Sequence, residues 1–109
     1  MTVAKLAKSL DLTAISLCEP DREVTGGYIG DLLSWVMGRA KSGDAWITIM
    51  SNVNILAVAS LADTACIILA EGVSLEEDVI TAAKAKGINV FGSNKPAYEI
   101  ASTLSLLLS

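Results

Sequence analysis

Apolar residues recur along this chain with two alternating periods. Val3, Leu6, Ala7 and Leu10 fall at i, i+3, i+4 and i+7, the spacing of one helical face. Thr13 to Cys18 follows as a run of strand length. The charged, glycine-bearing segment from Glu19 to Gly30 predicts a loop. Leu32, Leu33, Val36, Met37 and Ala40 return to helical spacing, with Asp31 placed to cap them. Lys41 to Asp44 reads as a turn and Ala45 to Met50 as a second strand. Ser51 or Asn52 would cap a helix running to about Ala62, and its lack of a polar face predicts burial on most sides.

Ala65 to Ala70 is apolar throughout, which suits a central strand covered on both faces. Ser74 and Glu77 have the spacing of a capping box, Lys84 and Lys86 suit the helix C-terminus, and Gly87 ends it. Ile88 to Phe91 predicts the last strand. A final helix, capped near Asn94 with Pro96 in its first turn, carries an apolar stripe of Ile100, Ala101, Leu104, Leu107 and Leu108. Strands alternating with helices predict an α/β fold, a largely parallel sheet with helices on both faces. No linker or internal repeat divides the chain, so residues 1–109 read as a single domain.

Composition narrows the function. The chain is 52% hydrophobic, with no apolar run near the roughly 20 residues needed to cross a bilayer. The expectation is a soluble, cytoplasmic protein. The net charge is −4 and the basic residues are scattered, which speaks against nucleic-acid binding. Histidine is absent, removing the commonest general base and metal ligand. Cys18 and Cys66 lie far apart in apolar contexts and read as reduced core residues. No cofactor is implied.

The candidate chemistry lies in Asp21-Arg22-Glu23-Val24-Thr25-Gly26-Gly27 and the Gly30-Asp31 that follows. A loop entering a helix can offer free N–H groups to an anion, with Arg22 as a bidentate partner. Thr25, Gly26, Gly27 and Gly30 would let the main chain approach a phosphate closely. Ser51, Asn52 and Asn54, after the next strand, would form the opposite wall of a crevice at the carboxyl ends of the strands. Against this, Glu19, Asp21, Glu23 and Asp31 surround one arginine, and neither GxxxxGK[ST] nor GxGxxG occurs. The competing reading is structural: Asp21 caps the loop, Arg22 pairs with Asp21 or Asp31, and the glycines make a tight turn. Asp21 and Asp31 could also hold a divalent ion for a weak phosphohydrolase, although no nucleophile–base pair accompanies them.

The motif Asp21-Arg22-x-x-Thr25-Gly26-Gly27, with Gly30-Asp31-Leu32-Leu33 downstream, resembles the DRTGG domain family. Ala57, Ser60-Leu61-Ala62-Asp63 and Ile68-Leu69-Ala70-Glu71-Gly72 are similar to that family too. The resemblance implies a small α/β domain like the N-terminal domains of HPr kinase/phosphorylase and the Mur ligases. It also implies a module that accompanies enzymes such as CBS-domain pyrophosphatases and phosphotransacetylases, without catalytic activity of its own. Lacking a Walker A motif, the chain inherits no kinase activity from that likeness. The expectation is therefore a non-enzymatic, homodimeric regulatory domain that senses a nucleotide or other small anion at the Asp21–Gly27 loop. The alternative is a purely structural dimerisation or protein-interaction module with a partner enzyme.

Overall fold

Cys66, Ile67, Ile68 and Leu69 are apolar in succession because both sides of their strand are covered. In the computed structural model, which describes residues 1–109, this strand lies in the middle of a five-stranded sheet. The chain runs through α1 (Val3–Ser9), β1 (Thr13–Ser16), β2 (Gly26–Ile29), α2 (Leu33–Arg39) and β3 (Asp44–Thr48). It continues through α3 (Asn54–Ala62), β4 (Cys66–Leu69), α4 (Glu77–Ala85), β5 (Val90–Gly92) and α5 (Ala97–Leu108). The strand order is β1-β5-β4-β3-β2. Strands β2 to β5 are parallel, and β1 joins β5 antiparallel with a register irregularity between Ala14 and Ser16.

The order of the parallel strands is monotonic, and that determines the layers. Right-handed crossovers that always step in one direction leave their helices on one face. Accordingly Val36 of α2, Leu56 of α3 and Val79 of α4 pack with Trp46, Ile67, Leu69 and Val90. The residues between those positions, Ala45, Ile47, Cys66, Ile68 and Phe91, face the other way. There they meet Val3 and Leu6 of α1 and Ile100 and Leu104 of α5. The period-2 alternation of each strand thus feeds two separate cores.

Several local expectations give way. The segment expected as a loop from Glu19 to Gly30 contains β2, and its glycines 26, 27 and 30 are not among those with positive φ. No tight turn forms at those glycines; the turn of this segment is at Pro20-Asp21, where the Arg22 N–H donates to the Glu19 carbonyl at 3.3 Å. Asp31 does not cap α2, whose N-cap is Leu32. Ser51 does not cap α3, but Asn52 does: its Oδ1 accepts from the Asn54 N–H at 2.9 Å across a Val53 that is already helical (φ −62°, ψ −21°). Nor does Ser74 cap α4, whose N-cap is Glu76. Pro96 stands at the N-cap of α5 instead of inside its first turn. Helix α3 buries one face only, leaving Leu61 74% exposed. Of the cysteines, Cys66 is in the core, where burial pushes its thiol up to about 12, whereas Cys18 is exposed beyond the end of β1.

Candidate functional site

The motif residues are divided between the two ends of the sheet. Arg22 lies before β2 and reaches the junction of α3 and β4, at the amino ends of the strands. Its Nη2 donates to the Asp63 carbonyl at 2.8 Å and approaches the Asp63 Oδ1 at 3.2 Å. Asp63 adopts a left-handed conformation (φ 58°, ψ 42°) as the C-cap of α3, which aims its carboxylate outward. A hydrogen bond from the Ser42 hydroxyl, and then the Arg22 charge, hold that carboxyl below the ordinary range. The ion pair expected between Arg22 and Asp21 or Asp31 is absent; Asp63, which the sequence reading missed, takes the guanidinium.

Asp31 is at the opposite, carboxyl end. Its Oδ1 accepts from the Thr48 hydroxyl at 2.9 Å and from the Ile49 N–H at 3.0 Å, tying the end of β2 to the end of β3. Ser51, Asn52 and Asn54 are exposed at that same end. They cannot wall a crevice with Arg22. Strand β2 alone, at about 3.3 Å per residue, puts roughly 10 Å between the ends. The same separation keeps Asp21 and Asp31 from sharing a metal ion. The monotonic strand order also lacks the reversal that opens a ligand crevice in doubly wound sheets.

Gly26 and Gly27 have a different use. A Cβ on Gly26 would sit 2.6 Å from the Asp44 Oδ1, and one on Gly27 would sit 2.8 Å from the Leu104 Cδ2. The buried Asp44 carboxylate is fixed there because its Oδ2 accepts from the Lys41 N–H at 2.8 Å. The double glycine therefore admits one side chain on each face of β2. Thr25 is placed by its own N–H, which donates to the Gly43 carbonyl at 3.0 Å, and its hydroxyl fills the space beside Gly43 (φ 86°). The Gly30 carbonyl accepts from the indole Nε1 of the buried Trp46 at 2.9 Å.

Arg22 also borders a cleft of about 220 Å³ at the amino ends of β4 and β5, together with Glu19, Asp63, Thr64, Lys86 and Asn89. Two cations face two carboxylates there, and the C-termini of α3 and α4 add partial negative charge. Asn89 is wholly occupied. Its Oδ1 accepts from the N–H groups of Cys18 and Glu19, and its Nδ2 donates to the carbonyls of Glu19 and Ala65.

No curated protein matches the chain in sequence. Among solved structures, it resembles the CBS and DRTGG domains of the regulatory region of Clostridium perfringens pyrophosphatase, complexed with the activator diadenosine tetraphosphate. The TM-score is 0.70 at 15% identity, over 98% of this chain and 46% of that one. At that identity the likeness shows the fold, and this chain spans less than half of the regulatory region it resembles. The DRTGG domain model matches residues 5–107, which include Arg22, Thr25 and the paired glycines in their α/β setting. The chain belongs to the DRTGG domain family.

Proposed function

We propose that this domain is a non-enzymatic, cytoplasmic regulatory module that acts by association, as a homodimer and with a partner enzyme. One observation carries the reading: the motif side chains are consumed in building β2 and locking it to its neighbours. Arg22 is held by Asp63, Asp31 by Thr48 and Ile49, and the glycines by Asp44 and Leu104. A motif spent on one edge of the sheet suits a domain whose business is its surface. The homodimer contact proposed here is the outer stripe of α5, where Tyr98 is 82% and Leu106 75% exposed. Sedimentation velocity tests it. The parent should run as a dimer at micromolar concentration, and the Tyr98→Asp, Leu106→Asp variant as a folded monomer. A parent that is already monomeric would sink the homodimer.

A second reading is favoured by the Arg22 cleft. At about 220 Å³ it is smaller than the roughly 300–1,000 Å³ of sites that enclose a whole drug-sized ligand. It would receive the phosphate end of a nucleotide, which must take Arg22 from Asp63. The titration of Asp63 provides the readout. Its lowered carboxyl pKa favours the charged form, so the tether is present above the ordinary carboxylate value and is lost as pH falls through the lowered one. A phosphate that withdraws Arg22 should raise the Asp63 pKa in ¹³C-detected NMR and shift the amides of Arg22 and Lys86. Adenine and uridine nucleotides, with and without Mg²⁺, that leave both unmoved would dismiss the nucleotide.

A further inference from the structure

Strand β2 is an edge strand, and its outer side is unguarded. In a parallel pair, alternate residues turn their N–H and C=O groups toward the neighbour. The Gly30 N–H donates inward to the Ile47 carbonyl at 3.2 Å, which, with Tyr28 paired to Trp46, puts Gly26 and Tyr28 in phase with it. The N–H and C=O groups of Gly27 and Ile29, both exposed, therefore point away from the sheet. Edge strands are ordinarily protected by a charge, a proline or a bulge. The opposite edge, β1, has a register irregularity. Strand β2 has none of these devices, since Gly-Gly-Tyr-Ile pairs with β3 residue for residue.

The two flanks of this edge differ in chemistry. On the α5 face, a groove of about 470 Å³ is bordered by Gly27, Ile29, Ala101, Leu104 and Leu108, with Ile29 49% exposed. On the α2 face, a groove of about 420 Å³ is bordered by Gly26, Arg39, Lys41, Ser42 and Asp44. Neither Arg39 nor Lys41 has a carboxylate within salt-bridge distance. Arg39 stacks on the Trp35 ring at 3.7 Å, which holds its guanidinium in place without neutralising it. The Asp44 carboxylate is buried and bound to the Lys41 N–H.

We infer that β2 accepts an extended segment of another protein as a sixth strand, and that this segment alternates apolar and acidic residues. Added strands gain affinity from main-chain hydrogen bonds and specificity from the pockets that receive alternate side chains. Because successive side chains of a strand point to opposite faces, every second one would enter the groove beside Leu104 and Leu108. Those between would meet Arg39 and Lys41. The glycines leave no side chain in the way. This inference rests on the association reading above and specifies the partner's contact.

The test uses the whole chain and two capped eight-residue peptides, one alternating Val and Glu, the other alternating Val and Lys. In ¹⁵N-HSQC titrations the Val/Glu peptide should move the amides of Gly26 to Ile29 and slow hydrogen exchange at Gly27 and Ile29. The Arg39→Glu, Lys41→Glu variant should bind it at least tenfold more weakly and should instead bind the Val/Lys peptide. Equal binding of both peptides to the parent, shifts confined to the β1 edge, or no shifts would overturn the inference. So would protection of the Gly27 and Ile29 amides in the peptide-free protein together with a dimeric mass, since a second copy would then occupy the edge. The Tyr98→Asp, Leu106→Asp monomer should bind the Val/Glu peptide like the parent, so failure of the homodimer and failure of the edge site are read separately.

Discussion

Asn89 is 3% exposed and has all four of its amide hydrogen-bonding positions filled. It holds the segment after β1 against the start of β5, and so fixes where the Arg22 loop begins. Removing it would leave the Cys18 and Glu19 N–H groups without a partner in a partly buried place. Asn89→Ala should cost about 3 kcal/mol, since each unsatisfied buried group costs ~1–3 kcal/mol. Urea denaturation would check this, and a loss under about 1 kcal/mol would show that water replaces the amide. A polar residue between Ile88 and Val90 is visible in the sequence, but its partners Ala65, Glu19 and Cys18 are 24, 70 and 71 positions away. The paired glycines are a similar case. Their need for close approach is legible from the residue type. That the approaching atoms belong to Asp44 and Leu104 depends on tertiary packing.

At the scale of elements, every helix and all strands but one follow from apolar period, and the stop of α4 follows from Gly87 (φ 71°), while the starts of α2, α4 and α5 follow from neither. The exception is β2, hidden because Gly26 and Gly27 have no side chains to show an alternation. The start of α4 was misplaced because a core residue intervened. Ser74 and Glu77 have capping-box spacing, yet Leu75 is buried and draws the chain inward, so the helix opens behind Glu76 with an extended backbone (φ −64°, ψ 153°). Ser74 is exposed and makes no capping bond. Ser74→Ala should therefore change stability by less than about 0.5 kcal/mol in a thermal melt, against ~1 kcal/mol for a true N-cap. A loss near the larger figure would show that the capping box forms in solution.

For the whole molecule, the largely parallel sheet and its two helical layers were legible, because continuous apolar runs and helical stripes leave few other arrangements. Strand order was not, since it depends on which edge each crossover reaches. That order left β2 at an edge, while β2 itself, lying between them, sent Arg22 to one end of the sheet and Asp31 to the other. The order also has a kinetic consequence. Neighbouring parallel strands such as β3 and β4 pair residues about 20 positions apart, as Ala45 with Cys66, whereas β1 meets β5 across almost the whole chain, as Thr13 with Gly92. The longer closure spans about two further doublings of loop length, or about 1.2 kcal/mol of extra chain entropy at ~0.6 kcal/mol per doubling. In pulse-labelled refolding the amides of β3 and β4 should gain protection before those of β1, and simultaneous protection would contradict this. A chain emerging in order from its N-terminus makes β1 among its first residues and must hold it unpaired until β5, among the last, exists to receive it.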